Sequence, residues 1–411
     1  MRCISTVIIG AGQAGLAMSK CLSDRSVTHV VLERGEIAQS WVKDRWNSLR
    51  LLTPNWQSRL PGFSYRGPDP DGFMNMPQIT DYLRDYAHVI AAPVEEHTTV
   101  SSVTPDGNSY LVCTSRGDWI CDNVVVASGA CAQPRLPQIA NTVPTSIAQL
   151  SLATYKSPNQ VAQGGVLVVG ASASGVQIAA ELSTAGHSVT LAVGEHIRAP
   201  RHYRGRDIQW WLDRTGVLDA AIKDVDDIAR ARRVPSFQLM GDAGLDAIDL
   251  NTLQAMGVAI TGRLVGIRHG KAQFSGSLAN HCAMSDLKIG RLLEHFDDWA
   301  MRVNLPDLQV PRRLPPTCFP SSPHLTADLN NGAFRTIVWA TGYSPDFSWL
   351  KLPVFDQKDT LIHDQGVVAP GLYVLGLPFM RRRKSALIDG VGGDTQALAD
   401  HLVANRRKRA A

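Results

Sequence analysis

Two glycine-bearing turns, 160 residues apart, are the most chemically telling segments of the chain. The first reads Val-Ile-Ile-Gly10-Ala-Gly12-Gln13-Ala14-Gly15, with Glu33 standing 18 residues beyond Gly15. The second reads Val-Leu-Val-Val-Gly170-Ala-Ser172-Ala-Ser174-Gly175. Each follows an apolar, β-branched run and precedes a helix-like run. A strand, a tight turn and a helix in that order aim backbone N–H groups at an anion at the helix N-terminus. Gly10 suits the turn, Gly12 lets a pyrophosphate approach, and Gly15 lets the helix pack near the strand. His29-Val-Val-Leu-Glu33 reads as the next strand, with a carboxylate placed to accept from a ribose and Arg34 beside it. One such unit binds one dinucleotide. Two in one chain point to electron transfer between two dinucleotides. The alternatives are a structural βαβ turn with a chance acid, and a second repeat with an empty site.

In the second unit Ser172 replaces the middle glycine, and Ser174 precedes the last one. Both hydroxyls are small and can donate to phosphate. Val193 falls in the register of Glu33. Glu195 follows, then Arg198, Arg201, Arg204 and Arg206. A 2′-phosphate favours the arginines, and a free ribose tolerates the glutamate. NADPH is the expected coenzyme, with NADH left open.

The segments flanking these turns fit an α/β fold with two Rossmann-like dinucleotide-binding domains. Helix is expected over 79–87, 208–212, 285–303 and 394–405. Strands are expected over 110–114, 119–127, 335–341 and 371–376. Val-Val-Ala-Ser128-Gly129 and Val-Trp-Ala-Thr341-Gly342 are similar strand ends. The first domain is therefore expected over 1–160 and 320–411, with the second, over 161–319, inserted in it. A cleft between them would shield a ligand from water.

Composition bounds the rest. The 411 residues are 44% hydrophobic and 19% charged, as in soluble proteins with a large core. The net charge of +4 is too small to argue for nucleic acid, and no stretch reaches membrane-span length. The apolar start breaks at Gly10 and Gly12, so no signal peptide is expected. Cys3, Cys21, Cys113, Cys121, Cys131, Cys282 and Cys318 form no CxxC and show no metal spacing. That pattern fits a reducing cytoplasm and lacks the cysteine pair of a disulfide reductase.

In combination these segments resemble class B flavin-dependent monooxygenases. Within that group the chain is similar to the bacterial CzcO-type flavoproteins. The likeness runs over almost the whole chain. It rests on Gly10 to Gly15 with Glu33, the Trp41 to Pro54 loop and Tyr155-Lys-Ser-Pro158. Gly170 to Gly175, His202 to Asp207, Ala340-Thr341-Gly342-Tyr343 and Gly371 to Gly376 continue it. The resemblance implies FAD in the first domain and NADPH (or NADH) in the second. It also implies dioxygen and a small-molecule substrate, oxygenated through a C4a-hydroperoxide on the flavin. It departs at Ser151, where the family has a histidine before its tyrosine, and at Glu195, where many relatives have arginine. Looser contact between domains is the expected consequence of Ser151.

Trp41 and Trp46 are expected either beside the flavin or in the core. Thr53, Pro54 and Asn55 are expected near the flavin by resemblance, with Ser128, Gly129, Thr341 and Gly342 at cofactor-facing strand ends. Arg198 and Arg204 are expected on coenzyme phosphate. No catalytic side chain is assigned, because hydride transfer and oxygen activation are cofactor chemistry. Two rivals stay open. One is a flavin-dependent dehydrogenase or reductase that does not oxygenate. The other is a redox-responsive flavoprotein that docks a partner through Arg381-Arg382-Arg383-Lys384. A homodimer is left open.

Overall fold

The computed structural model describes residues 1–410 apart from 243, 245 and 246. Strand β1 (Arg2–Ile9), helix α1 (Gln13–Ser23) and strand β2 (His29–Leu32) open the chain. Helix α2 (Met76–Val89) follows a capping box at Asn75 and Gln78 and has Pro77 in its first turn. Strand β3 (Trp119–Val126) ends the first run. Next come β4 (Ala148–Ser151), β5 (Gly165–Val169), helix α3 (Ala173–Thr184) and β6 (Val189–Val193). Strand β7 (Ala259–Gly262), the long helix α4 (Leu278–Arg302) and β8 (Phe334–Trp339) follow. Strand β9 (Leu372–Val374) and helix α5 (Val391–Ala410) close the chain.

In the first sheet β1 lies between β2 and β3, parallel to both, and β9 extends it parallel to β3. The β1 and β2 strands end in Val-Ile-Ile and Val-Val-Leu, buried on both faces as parallel strands in α/β folds are. Helices α1 and α5 pack on this sheet around Leu16, Leu22, Leu398 and Leu402, all fully buried. A hairpin, Val100–Asp106 with Ser109–Thr114, adds to β3 in antiparallel fashion.

The second sheet is wholly parallel, in the order β4-β8-β5-β6-β7. Strand β8 therefore belongs to the second domain, where it pairs with both β4 and β5. This pairing sets 148–151 and 334–339, which lie outside the expected 161–319 unit, beside 165–169. The two crossings lie side by side, where Tyr343–Ser344 pairs antiparallel with Gln133–Pro134. The short strand Val367–Ala369, antiparallel to β9, returns to the first sheet together with β9, and α5 packs on it. The charged stretch 219–233 forms short turns with one helical turn at Ile228–Ala231. Among the described residues no helix is long and apolar enough to cross a membrane.

Candidate functional site: a dinucleotide cavity and its second-domain counterpart

A cavity of about 1070 Å³ opens at the C-terminal end of β1. Gly10, Gly12, Gln13, Ala14, Glu33, Arg34, Trp41, Ser128 and Gly129 all line it. Gly10 has φ +109°, and a Cβ there would stand 2.6 Å from the Ala127 carbonyl oxygen. Gly12 differs, because a Cβ on it would meet nothing within 4 Å. Its missing side chain leaves open a path to the first turn of α1. Gly15 lies off the cavity and packs against Gly10, where a Cβ would approach the Gly10 oxygen to 1.8 Å.

Glu33 is held from two sides. Its carboxylate accepts from the amides of Ala11 at 2.8 Å and Gly35 at 3.0 Å. Each oxygen keeps a lone pair for a ligand hydroxyl. The Ser128 hydroxyl is buried and has no partner. A buried hydroxyl without a partner costs free energy, and a ligand in this cavity would supply the missing bond. The glycine cradle, the fixed carboxylate and the orphan hydroxyl together fit FAD.

The cavity wall nearest the second domain is a cation–aromatic cluster. The Arg45 guanidinium lies 4.7 Å from the Tyr343 ring centroid and 5.9 Å from that of Trp41. Cys131 lines the cavity beside it. Burial raises the pKa of this thiol, with Arg45 opposing.

Of the two places left open for Trp46, it occupies the core. It is 3% exposed and packs with Leu152, Tyr155 and Val176 of the second domain. Thr53 is half-buried and does not line the cavity. Its loop is drawn away by bonds from Leu51 N to Met74 O and from Asn55 N to Gly72 O. The Asn55 side chain clamps the same loop, donating to Asp69 O and accepting from Met74 N.

The second turn repeats the first. Gly170 has φ +110°, and a Cβ there would stand 2.4 Å from the Ala340 oxygen. Ser172 is the extended N-cap of α3, as Gly12 is of α1, and its hydroxyl makes no cap bond. Thr341 and Gly342 stand at the end of β8. This places them beside the second turn, away from the first-domain cavity, because β8 joins the second sheet. The Thr341 hydroxyl donates to Arg135 O.

The arginines expected on coenzyme phosphate are already paired. Arg198 is 2% exposed and is bound by Asp249, by Asp286 at 2.8 Å and by Pro315 O at 2.7 Å. Arg201 pairs with Asp207, and Arg204 pairs with Asp297 at 2.9 Å. Arg198 and Arg204, held by carboxylates of α4 and a neighbouring loop, bond the proline-rich 306–323 segment at Pro315 O and Gln309 O, whereas Arg201 bonds Leu52 O. The sequence does not show where those carboxylates fold. At the end of β6, Glu195 instead pairs with Lys288 of α4 at 2.9 Å, and that bond lowers its pKa. The Arg263 side chain packs at Gly194, 3.6 Å from where a Cβ would lie. Sequence reading missed Lys288 and Arg263, since both arrive from distant elements.

Ser151 keeps its bonds within its own turn, bonding Thr154 and accepting from Tyr155 N at 2.8 Å. Contact between the domains is made elsewhere. The Lys156 ammonium donates to Lys43 O and, at 2.9 Å, to Arg45 O, and burial lowers its pKa. Asn47 N donates to Lys156 O at 2.9 Å, and the Tyr343 hydroxyl reaches Asp44 O at 3.0 Å. The basic run Arg381 to Lys384 is partly covered. Arg381 O accepts from Ile222 N, and the amides of Arg383 and Lys384 donate to Ala220 O and Leu218 O.

The profile of the pyridine nucleotide-disulphide oxidoreductase family matches residues 7–214. The chain is 30% identical to an uncharacterized CzcO-like oxidoreductase of Geobacillus kaustophilus, over 97% of this chain and 98% of that one. It is 32% identical to an indole-3-pyruvate monooxygenase of Arabidopsis thaliana, over 49% of this chain and 51% of that one. The flavin-containing monooxygenase of Stenotrophomonas maltophilia superposes with a TM-score of 0.67 at 20% identity, covering 98% and 99% of the two chains. The family and these neighbours imply FAD and NADPH as cofactors. With two linked dinucleotide folds and a first turn that fits FAD, the chain belongs to the pyridine nucleotide-disulphide oxidoreductase family, as a CzcO-type, flavin-monooxygenase-like oxidoreductase.

Proposed function

We propose that this protein is an FAD-dependent, NADPH-using monooxygenase that oxygenates a small organic molecule. The observation that carries this reading is the lone thiol in the cavity. Cys131 lines the wall without a second cysteine beside it among the described residues. A dithiol relay from flavin to a disulfide substrate would need that second sulfur. The chemistry that bound FAD supplies is acceptance of hydride from nicotinamide and activation of dioxygen. The chain binds, orients and excludes water. Gly12 admits the pyrophosphate, Glu33 receives ribose hydroxyls, and Ser128 donates to the cofactor. Trp41, Arg45 and Tyr343 close the wall toward the second domain. Ser172, Ser174, Lys288 and Arg263 surround the proposed coenzyme site.

A second reading is hydride transfer without oxygenation. It is favoured by Ser151, whose bonds stay within its own turn. Labelled dioxygen separates the two. The NADPH-reduced enzyme is mixed with ¹⁸O₂ and a panel of amines, thioethers, ketones and 2-oxo acids. Label in an organic product supports the monooxygenase. Complete return of the electrons as hydrogen peroxide with every compound supports the second reading.

A further inference from the structure

Three cations of the basic loop already have partners. Arg382 and Lys384 pair with Asp219 at 3.7 and 3.0 Å, and Arg381 donates to Gln365 O at 3.0 Å. Two arginines behave differently. Arg232, from the second domain, has its Nε 3.4 Å from Phe379 O and its Nη2 3.4 Å from the His363 ring. Arg383, from the first domain, sets its guanidinium 5.5 Å from the Phe379 ring centroid. Among the described residues no carboxylate lies in ion-pair range of either. Burial alone lowers the pKa of both, with no offsetting anion, although Arg383 keeps much of its surface in solvent.

Phe379, the residue they share, is itself unusual. It is 2% exposed and has φ +48°, a left-handed conformation that side chains avoid. Such strain persists only where the surroundings impose it, and it gathers at ligand sites. The segment also adjoins the FAD cavity, because Gly376 and Ala386 on either side of it line that cavity. The bond from Arg383 N to Ala220 O, at 3.0 Å, ties the loop to the second domain.

We propose that Arg232 and Arg383, both held against the buried Phe379, form an oxyanion site at the domain boundary, beside the flavin cavity. Guanidinium groups match carboxylate and phosphate geometry. The oxyanion has two sources, the carboxylate of the substrate or a phosphate of the nicotinamide coenzyme. Either way it would fasten the two domains through one ligand. This inference deepens the function proposed above and rests on it.

The test is calorimetric titration of the FAD-loaded enzyme with benzoate, inorganic pyrophosphate and NADP⁺. R232Q and R383Q are compared with R382Q, whose guanidinium already has Asp219. Arg383 is exposed, so R383Q does not put folding at risk. The expected result is at least tenfold weaker binding of an oxyanion probe in R232Q and R383Q, none in R382Q, and partial recovery in R383K. FAD content stays at one per chain throughout. Loss confined to benzoate assigns the site to a substrate acid, and loss of NADP⁺ and pyrophosphate assigns it to the coenzyme. Unchanged binding of all three probes in both variants overturns the proposal, as does the lack of any saturable site in the unaltered yellow enzyme. A protein that takes up no FAD instead overturns the functional reading on which the proposal rests.

Discussion

Gly170 faces Ala340 so closely that a Cβ on the glycine would stand 2.4 Å from the alanine carbonyl oxygen. Gly10 and Ala127 stand in the same relation, at 2.6 Å. In each domain the first strand of the turn is pressed against a strand that ends Ala-Ser-Gly or Ala-Thr-Gly. Close approach of backbones at this point sets the mouth of each dinucleotide site.

Gly10 and Gly12 should fail in different ways. Gly10→Ala meets the Ala127 carbonyl and a strained φ, so the apoprotein should lose about 2 kcal/mol of stability. Gly12→Val meets open space, so apoprotein stability should change by less than about 0.5 kcal/mol. FAD content should nonetheless collapse, because the new side chain fills the cofactor's path. Melting curves of apoprotein and flavin absorbance after gel filtration check both.

Ser128→Ala removes a buried hydroxyl that has no partner in the protein. The apoprotein should be as stable or slightly more so. FAD binding should weaken by about 0.5–1.5 kcal/mol, the usual worth of one hydrogen bond. Equal loss of stability in apo and holo forms would assign Ser128 to structure alone.

Coenzyme choice should follow Glu195 rather than Arg198. Arg198→Met breaks a buried ion pair and should cost about 3–5 kcal/mol of stability, with the NADPH to NADH ratio unchanged. Glu195→Gln frees Lys288 at an exposed pair, so stability should move by less than about 1 kcal/mol. Flavin reduction rates over a range of NADPH and NADH concentrations should then shift toward NADPH. A shift in Arg198→Met without loss of stability would reverse this assignment.

Lys156→Met should loosen the domains while sparing FAD. The ammonium bridges the carbonyls of Lys43 and Arg45, next to the cavity wall. The expected result is more hydrogen peroxide per NADPH consumed, read by a peroxidase-coupled assay. An unchanged yield would remove this lysine from domain coupling.

His363 should tilt stability with pH. Burial and the neighbouring Arg232 lower its pKa from 6.5 to about 4 in the folded protein. The unfolded chain therefore takes up this proton first. Stability from this group is complete above about pH 6.5, falls as pH drops toward 4, and levels off below. His363→Gln should flatten that slope, with a gain near pH 5 of about 1 kcal/mol after allowing for partial solvent exposure. Denaturant titrations at pH 7 and pH 5 measure it.

The two strand–turn–helix units are legible in the chain, because they depend on sterics among near neighbours. Gly10, Gly12 and Gly15 act within one turn, and Glu33 lies one strand away. The strand ends Ser128-Gly129 and Thr341-Gly342 were readable as strand ends for the same reason. Tertiary structure alone decided which sheet each of them joined. Both read as Val-x-Ala-Ser/Thr-Gly, and only the partners of β8 place Thr341 in the second domain. It likewise decided that Trp46 fills the second core, and that Arg198 and Arg204 are taken by carboxylates 51 to 93 residues away. Strand pairing, core membership and ion pairing are contacts between distant segments. Residue type limits what each side chain can do, and the packed chain selects which partner it meets.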